Sequence, residues 1–200
     1  MDSKKRVILV RHGETWDNRE GRIMGSSDSP LTPEGIQVAK LLAKSIVNEK
    51  ISVAFSSSLG RALSSAEIYT RDINCPVLPR PAMCELACGL WEGRIRTEAE
   101  PGRTAIRTTW YDRPPGGESY SDAEDRVGSF IRELNSSDYS NPVLVVGHAG
   151  INRVFLKLWL GLPPDHAIRI LFAHDMLYVL DGKSLSGMSV SLGRLDGLMV

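Results

Sequence analysis

The sequence predicts an α/β fold with a largely parallel sheet and an antiparallel edge. Three observations predict it. Apolar runs of strand length alternate with segments whose apolar residues recur at helical spacing. Two runs, Val7-Ile8-Leu9-Val10 and Val143-Leu144-Val145-Val146, are unbroken aliphatic stretches, as expected of strands buried on both faces. Asp181-Gly182 lies between two late apolar runs and signals a hairpin. With 200 residues, 42% hydrophobic and 24% charged, the chain can bury the core of one domain (1–200) without staples.

Each element follows from its residues. The first strand, Val7–Val10, leads into a polar loop that runs to Leu31. Thr32-Pro33-Glu34 opens a helix, with Thr32 as N-cap, Pro33 in the first turn and Glu34 at the positive dipole end. Ile36, Ala39, Leu42, Ala43, Ile46 and Val47 give it an apolar face. Val53-Ala54-Phe55 is a short strand, stopped by Ser56-Ser57-Ser58 and followed by a helix over Leu59–Thr70. Another short strand falls near Val77-Leu78. Residues 80–118 are irregular and rich in proline and glycine, the composition of a lid or binding loop. A helix over Ser121–Leu134 presents Ala123, Val127, Phe130, Ile131 and Leu134 on one face. The Val143–Val146 strand precedes a helix over Ile151–Leu160, with Gly161 as its C-cap. Ile168–Phe172, Met176–Leu180 and Leu185–Leu192 complete the set as strands.

Composition narrows the function. Lys+Arg and Asp+Glu are both 24, so the formal net charge is +0. A general nucleic-acid binder is disfavoured, while a local basic pocket is not. The cysteines, Cys75, Cys84 and Cys88, make no disulfide framework and suit a reducing compartment. The charged start precedes only four apolar residues, and no later stretch is long enough to span a membrane. The expectation is a soluble, cytoplasmic protein without a membrane partner.

Two of the four histidines follow the two aliphatic strands. Val10 leads into Arg11-His12-Gly13-Glu14-Thr15, and Val146 into Gly147-His148-Ala149-Gly150. Ligands of open α/β sheets bind beyond the carboxyl ends of strands, so adjacent strands would bring His12 and His148 to one crevice. The alternative is a pair of unrelated loop histidines. Arg11 offers a fork of donors suited to phosphate or carboxylate. Asn18 could add an amide donor, and Arg61 follows the strand at 53–55. The helix after His148 would aim its free N–H groups at the same crevice. Arg61 alone reads as a solvated arginine. Two guanidiniums, two imidazoles and a helix end together suit a phosphoryl dianion. A carboxyl among apolar neighbours can have a raised pKa and act as a general acid, but on its context alone Glu85 reads as a surface glutamate. Gly182-Lys183-Ser184 is not a P-loop, because Leu177 stands where its first glycine belongs. Cys84 and Cys88 form an incomplete metal set, so no metal is expected. His166 and His174 read as structural.

The ordered motifs resemble the histidine phosphatase superfamily, also called the phosphoglycerate mutase-like family. Arg11-His12-Gly13-Glu14-Thr15 with Asn18 matches its R-H-G-[EQ]-[ST]-x-x-N signature. The resemblance continues through Gly21-Arg22-Ile23, Pro30–Gly35, Ser56–Ala62, Glu85, Gly89–Gly93, Pro115–Ser119 and Val146–Gly150, over roughly residues 6–165. It implies a three-layer α/β/α sandwich, with residues 86–118 as a lid-like insertion. It implies His12 as nucleophile and Glu85 as proton donor. Arg11, Asn18, Arg61 and His148 would hold the phosphoryl group, with Ala149 beside them. No cofactor or metal is implied, and a homodimer is the family's habit.

The departures bear on the substrate. Met24 stands where many relatives carry glutamine. Residues 94–113 have no close counterpart and carry Arg94, Arg96, Arg103, Arg107 and Arg113 against Glu98, Glu100 and Asp112. The chain is short for a cofactor-dependent mutase. The expectation is therefore a metal-independent phosphatase acting on a small phosphorylated metabolite through a phosphohistidine. A phosphoglycerate mutase and a non-catalytic phospho-ligand binder are the alternatives. Met24 and Trp91 would form an apolar wall. The arginines from Arg94 onward would meet a second negative charge, or belong to a solvated loop.

Overall fold

A computed structural model of the chain describes residues 5–99, 105–140 and 142–197. Seven strands form one sheet in the order β3-β2-β4-β1-β5-β6-β7. They are β1 Arg6–Arg11, β2 Val53–Ser56, β3 Val77–Pro79, β4 Val143–Gly147, β5 Met176–Asp181, β6 Ser184–Ser189 and β7 Gly193–Asp196. The pairs β1·β4, β4·β2 and β2·β3 are parallel. From β5 onward the sheet is antiparallel, so the edge is three strands deep.

The helices are α1 Trp16–Arg19, α2 Pro33–Ile46, α3 Gly60–Thr70, α4 Arg96–Ala99, α5 Glu124–Ser136, α6 Ala149–Leu160 and α7 Pro164–Ala167. Strand side chains alternate between faces, and two cores result. Val7, Leu9, Phe55, Val143 and Val145 pack against α5 and α6 through Val127, Phe130, Ile151 and Phe155. Ile8, Val10, Ala54, Leu144 and Val146 pack against α2 and α3 through Ala39, Leu42, Ala62 and Tyr69. Helices thus cover both faces of the sheet, as the unbroken apolar strands predict. Among the described residues no helix is long and apolar enough to cross a membrane.

Three expectations need correction. Ile168–Phe172 is not a strand. Ile170 and Phe172 are buried as strand residues would be. The carbonyls of Ile170, Leu171 and Phe172 instead accept from Arg153 Nε, Tyr178 Oη and Arg11 Nη1. Leu185–Leu192 is not one strand either, because β6 ends at Ser189 and Ser189 Oγ accepts the amides of Ser191 and Leu192 in the turn to β7. The helix expected from Ser121 begins as a 3-10 turn over Ser121–Ala123 before α5.

Parallel pairing fixes the site. The register runs from Val7 opposite Val143 to Arg11 opposite Gly147, so β1 and β4 end together. The His12 amide continues this ladder to Gly147 O at 3.0 Å. Ser57, just past β2, donates its amide to Val146 O at 2.9 Å. The segments carrying His12, His148 and Arg61 therefore leave three adjoining strands at the same edge. Gly13 and Gly35 permit the close approach of α2. A Cβ at Gly13 would lie 2.9 Å from Gly35 O, and one at Gly35 would lie 2.8 Å from Glu14 N.

Candidate active site

A pocket of about 250 Å3 opens at the carboxyl ends of β1, β2 and β4. Arg11, Arg22, Arg61, Arg96, Arg107 and Arg153 line it, and Glu85 is the one carboxylate among the described lining residues. His12, Asn18, Met24, Cys88, Tyr120 and Ala149 line it too.

His12 is buried, and its Nδ1 contacts Gly13 O at 2.7 Å. A carbonyl only accepts, so Nδ1 carries the proton and donates it there. Burial first, then His148, Arg11, Arg61 and His174, hold His12 well below the ordinary imidazole value. A neutral ring with its proton on Nδ1 keeps the Nε2 lone pair available. The His148 ring lies 4.9 Å from it, centroid to centroid.

Arg11 donates from Nη1 to Phe172 O at 2.9 Å. Its Nε is buried with no hydrogen-bond partner among the described residues. Burial lowers this guanidinium to about 10. Asn18 spends Oδ1 on the Thr15 amide and hydroxyl in the α1 capping box, leaving its amide nitrogen as a donor to the pocket.

Arg61 and His148 are arranged differently from expectation. Arg61 Nε donates to His148 Nδ1 at 3.2 Å, Nη1 to Ser27 O and Asp28 Oδ1, and Nη2 to Gly25 O. His148 therefore carries its proton on Nε2 and donates it to Ser57 Oγ at 2.8 Å. Burial, with the Arg61 charge, lowers His148 to about 3. The two form a braced pair beneath the pocket because the loop at 25–28 and Ser57 already satisfy them. Ser57 is not an activated nucleophile, since a guanidinium rather than a carboxylate faces His148 Nδ1.

Glu85 is not a surface glutamate. It accepts the amides of Gly150 and Ile151 at 3.1 and 3.0 Å, at the N-terminus of α6. Burial raises its carboxyl, but the cationic surroundings and the Leu86 and Gly150 amides outweigh that, and the result is a lowered pKa. The raised value expected of an apolar setting does not hold, because the helix end and Arg61 supply positive charge. The Ala149 amide has no acceptor among the described residues and lines the pocket.

The outer wall is partly as expected. Met24, Arg96 and Arg107 line the pocket. Arg107 is tied to Glu118 O and Ala87 O, while the Arg96 side chain has no hydrogen bond among the described residues. Trp91 and Arg94 are not in the wall. Trp91 is buried with Ile23 and Cys88, and Arg94 is exposed. Arg113 pairs with Asp122 away from the pocket, and Arg103 lies outside the described residues. Cys84 Sγ sits 3.5 Å from Ser57 Oγ and Cys88 beside Arg107, and no group of three or more metal-ligating side chains forms among the described residues.

Arg22, Tyr120, Arg153 and His174 were given no site role by the sequence. Arg153 reaches the pocket from α6, one helical turn past Ala149, and that spacing could have revealed it. His174 donates from Nδ1 to His12 O at 2.8 Å. No motif marks it.

Residues 7–188 match the sequence model of the histidine phosphatase superfamily (branch 1), and the chain belongs to that family. It is 34% identical over 162 residues to the probable phosphoglycerate mutase GpmB of Serratia proteamaculans, covering 78% of this chain and 75% of that one. Among solved structures it resembles YhfR of Bacillus stearothermophilus, with 27% identity, 98% and 96% of the two chains covered and a TM-score of 0.76. It also resembles the alpha-ribazole phosphatase of Shigella flexneri, with 26% identity, 96% and 95% covered and a TM-score of 0.74.

The buried histidines predict an acid-side loss of stability. His12, His148 and His174 all titrate below 6.5 in the folded chain, the latter two at about 3 and 4. Below pH ~6.5 the unfolded chain binds more protons than the folded one, so stability falls as pH falls. Each histidine contributes at most about 1.4 kcal/mol per pH unit. The depressed carboxylates of Glu14, Glu85 and Asp175 add losses only near and below pH ~4. Urea unfolding should show a steady loss between pH ~6.5 and ~4.5. A flat profile over that window would contradict neutral, buried imidazoles.

Proposed function

We propose that the protein is a metal-independent phosphatase that hydrolyses a small phosphomonoester through a phosphohistidine at His12. One observation carries this reading: a neutral His12 with a free Nε2 shares its pocket with the unpartnered Nε of Arg11. The first supplies a nucleophile and the second an unmet demand for an anion.

Arg11 Nε, the Asn18 amide and the Ala149 amide hold the phosphoryl oxygens, and Arg61 acts on them by charge from below. His148 reaches an oxygen by giving up Ser57 as acceptor. His12 Nε2 attacks phosphorus, and the bond to the ester oxygen breaks with its electron pair on that oxygen. Glu85 gives the oxygen its proton. Water then attacks the phosphohistidine, Glu85 takes a proton from it, and the P–N bond breaks to release phosphate. Guanidinium charge takes the part that a divalent cation plays in many phosphoryl transfers.

With no substrate bound Glu85 is ionised, so it must take up a proton as the substrate binds. A phosphoryl dianion placed beside the carboxylate raises its pKa by like charge, which couples binding to proton uptake. A volume of about 250 Å3 lies below the usual range of ligand pockets and suits a small metabolite. Arg96 and Arg153 stand beyond the phosphoryl-binding set and face a second anionic group on that metabolite.

A mutase reading draws on the name carried by the curated relatives. The two readings part at the acceptor of the phosphohistidine, water or a second hydroxyl. Inorganic phosphate released from 3-phosphoglycerate without a bisphosphate primer supports the phosphatase, and isomerisation without release supports the mutase.

Glu85→Gln should lower kcat/KM by about 10²–10⁴-fold on an alkyl phosphate, the scale of one general acid. It should cost far less on p-nitrophenyl phosphate, whose leaving group needs no proton. Equal losses on both would remove Glu85 from the role of acid. His12→Ala should abolish both activities. A phosphomonoester bearing a carboxylate should exceed a neutral one by about 1–3 kcal/mol in kcat/KM, the worth of a charge-assisted hydrogen bond. Arg96→Ala or Arg153→Ala should erase that preference, and an unchanged ranking in both variants would leave selectivity to the apolar lining.

A further inference from the structure

The peptide plane between His12 and Gly13 is held at both ends. Its N–H, that of Gly13, donates to Ser65 Oγ on α3 at 2.9 Å. Its C=O, that of His12, accepts from His174 Nδ1 at 2.8 Å. The carbonyl is a pure acceptor, so His174 Nδ1 carries a proton.

This bond stands where the sheet stops. On the β4 side, the His12 amide still finds Gly147 O. On the β5 side the last paired residues are Val10 and Leu177, so the His12 carbonyl lies beyond the ladder. His174, three residues before Leu177, replaces the missing strand donor with a side chain. Its ring also stands edge-on to the His12 ring, centroids 5.4 Å apart at 61°. The same unpaired segment anchors Arg153 through Ile170 O and Arg11 through Phe172 O.

The consequence reaches the reactive nitrogen. The His12 ring is oriented by donating Nδ1–H to Gly13 O, the carbonyl of the following peptide. Rotation of the 12–13 peptide would move Gly13 O and release the ring. We propose that His174 is a positioning residue for His12, holding the 12–13 peptide so that the imidazole keeps its proton on Nδ1 and its lone pair on Nε2. This rests on the phosphatase reading for its kinetic consequence, but not for its geometry.

Two variants separate the bond from the bulk. H174F keeps a ring and removes the donor, while H174N places an amide N–H where Nδ1 was. With p-nitrophenyl phosphate as probe, H174F should lower kcat by about tenfold or more, since small misplacements of a reacting atom are costly. KM should stay within about twofold, because phosphoryl binding is untouched. H174N should recover kcat to within about threefold of the unaltered chain. An H174F enzyme with unaltered kcat, or an H174N enzyme no better than H174F, overturns the proposal. So does a parallel change in kcat and KM.

Imidazole 15N NMR of the unaltered chain needs neither substrate nor variant. His174 and His12 should both appear at neutral pH as neutral Nδ1–H tautomers. A neutral His174 protonated on Nε2 alone overturns the proposal even if H174F fails to fold. If p-nitrophenyl phosphate is not turned over, the phosphatase reading fails, and the two tautomers still decide the role of His174.

Discussion

β1 and β4 pair in parallel up to Arg11 opposite Gly147, and the His12 amide adds one more bond, to Gly147 O. That shared ending places two histidines side by side past the last strand residues. Had the register slipped by one residue, the apolar side chains of β1 would have changed faces and His12 would have turned from the crevice. The buried alternation of Val7 and Leu9 toward α5 and α6, and of Ile8 and Val10 toward α2 and α3, resists such a slip. Core packing thus determines the geometry of the pocket through a single register.

Gathering six guanidiniums around one carboxylate would be prohibitive without other negative ends nearby. Asp28 pairs with Arg61 and Glu20 with Arg22, and backbone carbonyls supply the rest. Gly25 and Ser27 face Arg61, Ile170 faces Arg153, Phe172 faces Arg11, and Ala87 and Glu118 face Arg107. These carbonyls lie in segments outside the strands and helices, where they are open to the guanidiniums. Arg11 Nε, which has no hydrogen-bond partner among the described residues, is where a phosphoryl oxygen would complete the set.

The strands that build the sheet were legible because burial on both faces leaves unbroken aliphatic runs, as in Val143–Val146. The positions of His12 and His148 were legible because each follows such a run directly. Ile168–Phe172 misled because its apolar side chains do face the core, while its backbone is committed to Arg153, Tyr178 and Arg11 over distances that no local pattern encodes. Trp91 misled because a large aromatic in a loop can cover its own loop, as it does with Ile23 and Cys88. His174 carried no signal, since its partner is a backbone carbonyl 162 positions away. The ionised state of Glu85 was hidden because apolar neighbours in sequence gave no view of the α6 N-terminus.

In the proposed reaction the phosphoryl group passes through a covalent bond to Nε2 of His12. The most direct measurement is to quench the enzyme during turnover of a 32P-labelled phosphomonoester and to map the label on the digested chain. Label is expected on the peptide that contains His12, stable in alkali, lost in acid and absent from His12→Ala. Label on another residue, or turnover with no trapped label even at the shortest quench times, would contradict it.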